Sequence, residues 1–426
     1  MTERSESATL HDHYLDRVVE AGKSAGLVTA SPVRDHNGMT LVGAGAPVNA
    51  DLRERLLRHK LLRPIDESLH AERPVTVATL VERARELLSE QAILGRLAER
   101  VPDESRLVAI IRAIDLPPPI EIKLTVATHD NAERLDHLLT VTLTALAIGL
   151  RRQHSPADLK SLGLAALLHD LGDLHIDPTI FEQATGLSVN MRRQIEAHPV
   201  IMHTVLDAFG PRYLDAARAI LEHHERVDGS GYPRGLTGER LSPLGRILAL
   251  AEFVVSLRSR RECSHTLVAL KLQRHHFDPE LVAVLFDLIG QTEPPGQAAG
   301  IPLAGLTERL AQSQAHIENW IAISAQADSL GLPSAAMDWL HERSMAIERH
   351  FARLGLERNA LEKSLAPIAD DAEAIAELGI IAEEIERQVR DTAWEAHRRL
   401  GQNVPSDDLP EPIREGLLDV LSPSTG

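Results

Sequence analysis

The stretch HDLGDLHIDP, residues 169–178, decides how this sequence is interpreted once it is combined with HHERVDGSGYP, residues 223–233. The first stretch follows the apolar segment 159–168, whose composition predicts a buried helix ending at His169 and Asp170. The second stretch places two adjacent histidines before a glycine-rich loop. Neutral imidazoles and carboxylates are ligands of first-row divalent metals, and one carboxylate can bridge two ions. The two stretches together therefore predict a metal centre.

Composition limits the class of protein. The 426 residues exceed one typical domain, so two or three domains are expected. A formal net charge of −17 argues against DNA or RNA as a partner, because nucleic acids are bound by positive charge. The single cysteine, Cys263, excludes an internal disulfide and fits a reducing cytosol. The sequence shows neither an apolar run long enough to span a bilayer nor the order of a signal peptide. We therefore expect a cytoplasmic protein without a membrane partner.

Local signals divide the chain into a small α+β N-terminal module, a helical connector, a helical central domain and a helical C-terminal domain. The predicted bounds are 1–75, 76–118, 119–295 and 301–426. In the first segment, Asn37-Gly38 predicts a hairpin between two short strands. The prolines at 117–119 and the linker composition of residues 290–300 mark the limits of the central domain. The C-terminal helices are expected to serve regulation or dimerisation, so a homodimer is one option.

The candidate ligands lie on predicted helices or at their ends. One long helix over residues 120–152 carries Glu133 and His137 on the same face, since they are four residues apart. Ser155-Pro156 predicts the start of the helix that ends at His169, with Ser as the N-cap and Pro at the first helical position. An all-helical domain can bring such positions to one point. The full set of candidates is Glu133, His137, His169, Asp170, His198, His223, His224 and Glu252.

The order of these motifs resembles the HD-GYP family of bacterial metal-dependent phosphodiesterases. The matching pieces are His137, His169-Asp170-Leu171-Gly172, His198-Pro199, His223-His224-Glu225 and residues 228–236. The resemblance covers roughly residues 125–295, and the match of HHERVDGSGYP is highly specific. It implies that residues 119–295 form an all-helical, HD-GYP-type phosphohydrolase domain. It also implies two or three divalent ions, most often iron or manganese, and hydrolysis of cyclic di-GMP to pGpG and/or GMP in bacterial signalling.

The same resemblance implies roles for individual residues. The metal ligands would be His137, His169, Asp170, His198, His223, His224 and Glu252. Asp170 would bridge the ions and, with His169, occupy the catalytic position. Glu133 matches an additional ligand found in the three-metal branch of the family, although a solvated acid on a helix face is an equally good interpretation.

The resemblance also implies a substrate-binding set. Gly231, Tyr232 and Pro233 form the signature loop, which lies close to the substrate and to signalling partner proteins in the family. A loop residue that only packs on its own domain is an equally good interpretation of Tyr232. Arg261 falls near a family arginine, although the Pro-Tyr that usually follows is Glu262-Cys263 here.

Two departures from the family pattern bear on activity. The family's late aspartate ligand is Glu252 here, which preserves an oxygen donor. The lysine of HD-x-G-K, which helps to bind the substrate phosphate, is Asp173. Asp173 therefore belongs to the expected substrate-binding set, but the charge next to an anionic substrate is reversed. Asp173 could add a ligand, or a third metal could offset its charge. The alternative to an enzyme is a weak or inactive HD-GYP protein that acts as a cyclic di-GMP sensor or scaffold. A phosphohydrolase for another nucleotide is a third option, against which the intact GYP loop argues.

Overall fold

The computed structural model of the chain describes residues 3–129, 131–181, 189–258, 263–290, 302–326, 334–356, 361–401 and 420. The chain divides into two compact units. The first unit comprises Met1–Glu182, Met191–Ser259 and Arg274–Gln291, and the second comprises Gln183–Asn190, Arg260–Gln273 and Thr292–Gly426. The N-terminal module, the connector and most of the central domain thus share one unit, and the predicted bounds between them remain predictions.

The predicted fold class is confirmed, because helices dominate both units. In chain order the helices are α1 Glu3–Ala25, α2 Ala50–Leu57, α3 Val77–Glu90, α4 Ala92–Arg100, α5 Ser105–Arg112, α6 Pro118–Thr128, α7 Ala132–Arg151, α8 Pro156–Leu168, α9 Pro178–Phe181, α10 Val189–Ile195, α11 His198–Asp207, α12 Leu214–Glu222, α13 Pro243–Arg258, α14 Cys263–Gln273, α15 Pro279–Ile289, α16 Leu303–Ser324, α17 Ser334–Leu354, α18 Leu361–Leu365 and α19 Ala372–Gly401. Within the described ranges, no helix is long and apolar enough to span a membrane.

Four short strands lie in the N-terminal part of the first unit. Strands β2, Val33–Arg34, and β3, Thr40–Val42, pair antiparallel and confirm the predicted hairpin. Gly38 adopts a φ of +83° in the turn, a conformation that glycine reaches without steric cost. Strands β1, Leu27–Thr29, and β4, Leu69–Ala71, form a second antiparallel pair that the sequence did not indicate.

A buried polar cluster fastens the N-terminal part of the first unit to the central helices. We call Tyr14, Asp66, Lys123 and His175 the anchor cluster. Lys123 Nζ lies 2.9 Å from Asp66 Oδ2, and the Tyr14 hydroxyl donates to Asp66 Oδ1. The Tyr14 ring stacks on His175 with centroids 4.7 Å apart, and Lys123 Nζ lies 3.7 Å from the Tyr14 centroid. His175 ends the 3₁₀ turn Leu171–His175, which directly follows Asp170.

The single long helix predicted over residues 120–152 is wrong. The structure has α6 and α7 instead, and α7 begins after Asn131. The Asn131 side chain accepts a hydrogen bond from the backbone N–H of Arg134 at 2.9 Å. This N-cap satisfies a backbone donor at the start of α7, so a new helix starts here rather than an old one continuing.

Helices α7, α8, α12 and α13 pack on one another and position the candidate site. The predicted start of α8 is confirmed, because Ser155 is the N-cap, Pro156 is the first helical residue, and Ser155 and Asp158 form a capping box. The apolar residues of α8 are buried on all sides, which keeps its C-terminal end in the interior. His169 is the C-cap of α8, so the packing of this helix carries the ligand into place.

The second unit is helical, as predicted for the C-terminal part of the chain. Helices α16, α17 and α19 enclose a core in which Trp320 and Phe351 are buried. Arg309 of α16 forms a two-pronged ion pair with Glu386 of α19, at 2.6 and 2.7 Å. Of the predicted linker 290–300, all residues beyond Gly290 lie outside the described ranges.

Candidate metal centre

Seven side chains from five helices converge in the first unit. They are His137, His169, Asp170, His198, His223, His224 and Glu252, and we call them the metal centre. His137 and Glu252 project from within α7 and α13, whereas the other five lie at helix ends. His198 is the first residue of α11, and His223 is the C-cap of α12. Helix ends leave room for ligand atoms, because the neighbouring turn is missing on one side.

Asp170 lies between two groups of ligands. Its Oδ1 atom faces the Nε2 atoms of His198 and His223, at 3.4 and 3.6 Å. Its Oδ2 atom faces the Nε2 atoms of His169 and His137, at 3.3 and 3.7 Å. His224 joins the first group. One carboxylate is therefore shared by two clusters that could each hold an ion, which is the arrangement of a bridging ligand.

The tautomers of three histidines are set by backbone carbonyls. The Nδ1 atoms of His169, His198 and His223 each donate to the carbonyl three residues earlier, at 2.7, 2.7 and 2.6 Å. In the neutral ring, each Nε2 then carries a lone pair and no proton. Such second contacts orient histidine ligands and hold the ligating nitrogen toward a metal.

The inward-facing atoms fit a cation better than they fit one another. The Nε2 atoms of His198 and His223 are 3.1 Å apart, although neither neutral ring has a proton to donate there. His169 Nε2 and Glu252 Oε2 are 3.0 Å apart and buried, yet neither has a hydrogen-bond partner among the described residues. Burying these groups together is costly. Contacts with Asp170 and Glu252 raise the pKa values of His137 and His169, so protons on these rings offset the carboxylate charge, and a divalent ion would take the place of those protons. The residues present therefore fit a metal.

Charges within the metal centre shift the pKa values of its members. Burial lowers the pKa of His137, but contacts with Asp170 and Glu252 outweigh it and raise the pKa to about 9. Burial alone would raise the pKa of Asp170, but the charge of His169 and hydrogen bonds from histidines hold it well below its usual range. Burial and the neighbouring histidines lower the pKa of His223 to about 4. Acids that stay ionised and a histidine that stays neutral both favour metal binding.

The glycine-rich loop packs directly on the second histidine pair. Glu225 is buried and accepts the backbone N–H groups of Arg234 at 2.7 Å and of Leu236 at 2.9 Å. The ring of Tyr232 stacks on His224 with centroids 4.6 Å apart. A Cβ at Gly231 would lie 2.4 Å from the carbonyl oxygen of His224, so only glycine permits this approach.

Gly172 permits a similarly close backbone approach in the stretch HDLGDLHIDP, residues 169–178. A Cβ at this position would lie 2.1 Å from the carbonyl oxygen of His198. The turn after Asp170 can therefore approach the start of α11 only because residue 172 has no side chain. This contact explains in physical terms why the two ligands Asp170 and His198 come close together.

The structure places the remaining predicted residues in different surroundings. Glu133 is exposed at the start of α7 and belongs to none of the candidate metal groups of the described residues. Asp173 faces Arg134, whose Nη2 donates to its carboxylate. Burial raises the pKa of Asp173, Arg134 opposes that rise, and Asp170 adds to it. Pro233 follows Tyr232 in the loop. The prediction for Arg261 lies outside the described residues.

A further group of two histidines and one aspartate lies at the glycine-rich loop. The ligand-type atoms of Asp228, His275 and His276 lie within 4.8 Å of one another. Asp228 Oδ2 is 2.9 Å from His276 Nδ1, and the backbone N–H of Val227 donates to the His276 carbonyl at 2.9 Å. These contacts tie the loop to the turn before α15. Asp228 was part of the sequence motif, but nothing in the spacing indicated the two histidines.

Comparison with known families agrees with this geometry. The HD domain family matches residues 108–281 of the chain. The match runs from within α5 to the start of α15 and includes every residue of the metal centre. HD domains are metal-dependent, and the matched segment contains the His and Asp clusters that could hold a metal.

Several curated proteins are similar to part of this chain. A cyclic di-GMP phosphodiesterase response regulator of Xanthomonas campestris is 33% identical over 213 residues, covering 48% of this chain and 53% of the relative. A cyclic di-GMP phosphodiesterase of Pseudomonas aeruginosa is 29% identical over 196 residues, covering 40% and 45%. A 3′3′-cGAMP-specific phosphodiesterase of Vibrio cholerae is 36% identical over 107 residues, covering 25% and 23%. The chain thus spans about half or less of the length of these relatives, and the resemblance to HD-GYP proteins is confirmed for the HD domain.

Proposed function

We propose that this chain hydrolyses the cyclic dinucleotide cyclic di-GMP to linear pGpG and/or GMP. The observation that carries the proposal is the position of Asp170, shared between two groups of histidines. Two neighbouring ions can stabilise both the attacking and the leaving oxygen in phosphodiester cleavage, and a shared carboxylate would help to hold them. Two relatives are cyclic di-GMP phosphodiesterases, and a third is specific for 3′3′-cGAMP, which supports a cyclic dinucleotide as the substrate class.

His137, His169, His198, His223, His224 and Glu252 would hold two divalent ions, with Asp170 between them. When bound, the ions would supply positive charge to the phosphodiester and lower the pKa of an attacking water. Iron or manganese is the proposed metal, and a third ion would involve Glu133.

Contacts within the protein would position the ligand side chains. The carbonyls that accept from the histidine Nδ1 atoms fix the ring orientations before substrate arrives, so little reorganisation is needed. Asp170 is the least buried carboxylate of the centre, with 29% of its side chain exposed against 8% for Glu252. The substrate phosphate would therefore approach from the side of Asp170.

The loop of Gly231, Tyr232 and Pro233 is proposed to border the substrate. Tyr232 presents an aromatic face beside His224, and guanine bases stack on such faces. The same loop is proposed as a contact for signalling partner proteins, and a homodimer through the C-terminal helices is a further proposal.

The test is turnover of cyclic di-GMP by protein loaded anaerobically with Fe(II) or Mn(II), together with elemental analysis. Formation of pGpG with two or three metals per chain is the expected result. Parallel assays with 3′3′-cGAMP give the substrate preference. Metal-loaded protein that cleaves neither dinucleotide would overturn the proposal.

The second candidate function is a cyclic di-GMP sensor or scaffold without turnover. Asp173, which stands in place of the family lysine, favours it. Bound metal and bound cyclic di-GMP without product in the same assay would support this candidate over the enzyme.

A further inference from the structure

Reversal of charge at residue 173 leaves the substrate phosphate without the cation that a lysine would supply there. The structure contains another cation beside this position. Arg134, in the first turn of α7, extends to the turn that follows Asp170. Its Nη2 donates to the carboxylate of Asp173 and, at 3.2 Å, to the backbone carbonyl oxygen of Asp170.

The guanidinium of Arg134 is only partly used by these contacts. Both contacts are made through Nη2, and Nε is buried with no hydrogen-bond partner within the part of the chain that the structure describes. About a fifth of the side chain is exposed, at 21%, close to the 20% of Asp173. A guanidinium that is held through one nitrogen can offer its remaining exposed N–H groups to a phosphate.

We propose that Arg134 is the phosphate-binding cation of this site and that Asp173 positions it. The positive charge that a lysine would supply at residue 173 comes here from Arg134 on the neighbouring helix α7. Asp173 then acts as a positioning residue that holds the guanidinium beside Asp170, and it does not serve as a ligand or repel the substrate. This inference rests on the proposed function, because it assigns a group that binds the substrate of the same site.

The competing explanation is that Arg134 of α7 and Asp173 form a purely structural ion pair. Both explanations expect Arg134→Met to lower thermal stability, since the partly buried Asp173 loses its partner. Both explanations also expect Arg134→Met to weaken binding of a dinucleotide, because the Asp173 carboxylate is then left unpaired beside the phosphate. Arg134→Met combined with Asp173→Asn removes both charges. Only the phosphate-binding role expects this double variant to bind a dinucleotide more weakly than the wild type with metal content unchanged.

The experiment measures binding of the phosphorothioate analogue of cyclic di-GMP, which resists hydrolysis, to Mn(II)-loaded protein by calorimetry. The variants are Arg134→Met, Arg134→Lys, and Arg134→Met combined with Asp173→Asn. Arg151→Met is the matched control, because Arg151 lies on the same helix and pairs with Asp287 at 2.5 Å, far from the metal centre. Metal content and circular dichroism are recorded for each protein, and hydrolysis of cyclic di-GMP is measured in parallel.

We expect Arg134→Met to weaken binding about 10- to 100-fold, as loss of charge-assisted hydrogen bonds does. The Arg134→Lys variant should lose less, the double variant should still bind more weakly than the wild type, and Arg151→Met should bind like the wild type. Unchanged affinity of folded, metal-loaded Arg134→Met would overturn the role of Arg134, and so would a double variant that binds like the wild type. Wild-type protein that binds the analogue but does not hydrolyse cyclic di-GMP would remove the proposed activity alone, since the binding comparison still decides the role of Arg134.

Discussion

The anchor cluster and the metal centre are both buried polar groups of the first unit, but they balance their charges differently. In the anchor cluster, the donors Lys123 and Tyr14 meet the acceptor Asp66 directly. In the metal centre, imidazole nitrogens and carboxylate oxygens of the kind that bind metals face one another, and protons on His137 and His169 offset the carboxylate charge. One cluster is complete within the protein, whereas the other has atoms that could hold a cation in place of those protons.

This difference separates structural polar groups from functional ones. A buried ion pair with satisfied hydrogen bonds can be retained for stability or specificity alone. A buried cluster of metal-ligand atoms needs protons or a bound cation to offset its carboxylates, because desolvation of uncompensated charges costs folding free energy. Metal binding to the second kind of cluster should therefore stabilise the folded state, whereas the first kind should not respond to metal.

The largest effect is expected from Asp170→Ala. Loss of the shared carboxylate removes a contact from both groups of histidines, so bound metal and cyclic di-GMP turnover should fall to background. Elemental analysis and pGpG formation measure the two effects, with the exposed Asp215→Ala on α12 as the control. If the Asp170 variant turned over substrate at the wild-type rate, the metal centre would be wrongly assigned.

Lys123→Met should break the anchor cluster without changing the metal centre. Asp66, with 2% of its side chain exposed, would lose its ionic partner, and breaking a buried pair costs about 3–5 kcal/mol of unfolding free energy. Urea denaturation followed by circular dichroism measures the loss, and elemental analysis should show wild-type metal content.

The double variant Lys123→Met with Asp66→Leu sharpens the comparison. It leaves no unpaired charge, so it should recover at least half of the lost stability. A double variant that is less stable than Lys123→Met would show that the pair is not a self-contained structural element.

Glu225→Gln should have an intermediate effect, on the loop only. The Glu225 carboxylate accepts a hydrogen bond from the backbone N–H of both Arg234 and Leu236. The glutamine amide has a single acceptor oxygen, so its NH₂ group would face one of these two backbone N–H groups. The expected cost is about 1–3 kcal/mol, and the KM for cyclic di-GMP should rise while metal content stays unchanged. The exposed Glu239→Gln, in the same region, is the control and should match the wild type. An unchanged KM would separate the loop from substrate binding.

The smallest expected effect is the pH dependence of metal affinity. The pKa of His137 is raised to about 9 in the metal-free protein, so metal must displace its proton at neutral pH. The apparent Mn(II) affinity should rise with pH by up to about tenfold per unit for this one proton and level off above about pH 9. Calorimetry in buffers of different ionisation enthalpy measures the protons released, and the His137→Ala variant should release fewer.

The stability of the metal-free protein should show the opposite trend. A folded-state pKa above the unfolded value means that His137 contributes stability below about pH 6.5, and that this contribution is lost as pH rises through about 9. Metal-loaded protein should lack this decline. Parallel pH trends for the two forms would argue against His137 as a ligand.

Several elements near the site could be predicted because their causes are local. Ser155-Pro156 and Asn37-Gly38 act within a few residues, and both predictions are confirmed. The predicted helix over residues 120–152 failed at Asn131, since an apolar pattern on either side concealed the N-cap. Strands β1 and β4 were missed because their pairing joins residues far apart in the chain, and neither strand exceeds three residues.

The sequence by itself determined the ligand types and their order, because imidazoles and carboxylates at helix ends have the same chemistry in any fold that gathers them. It also determined the specific loop motif, whose glycines permit only a few backbone conformations. Only the tertiary structure decided that Asp170 lies between two groups, that Glu133 stays exposed, and that Asp173 faces Arg134, 39 residues away. Those outcomes depend on how α7, α8, α12 and α13 pack, and packing sums many weak contacts that no single motif encodes.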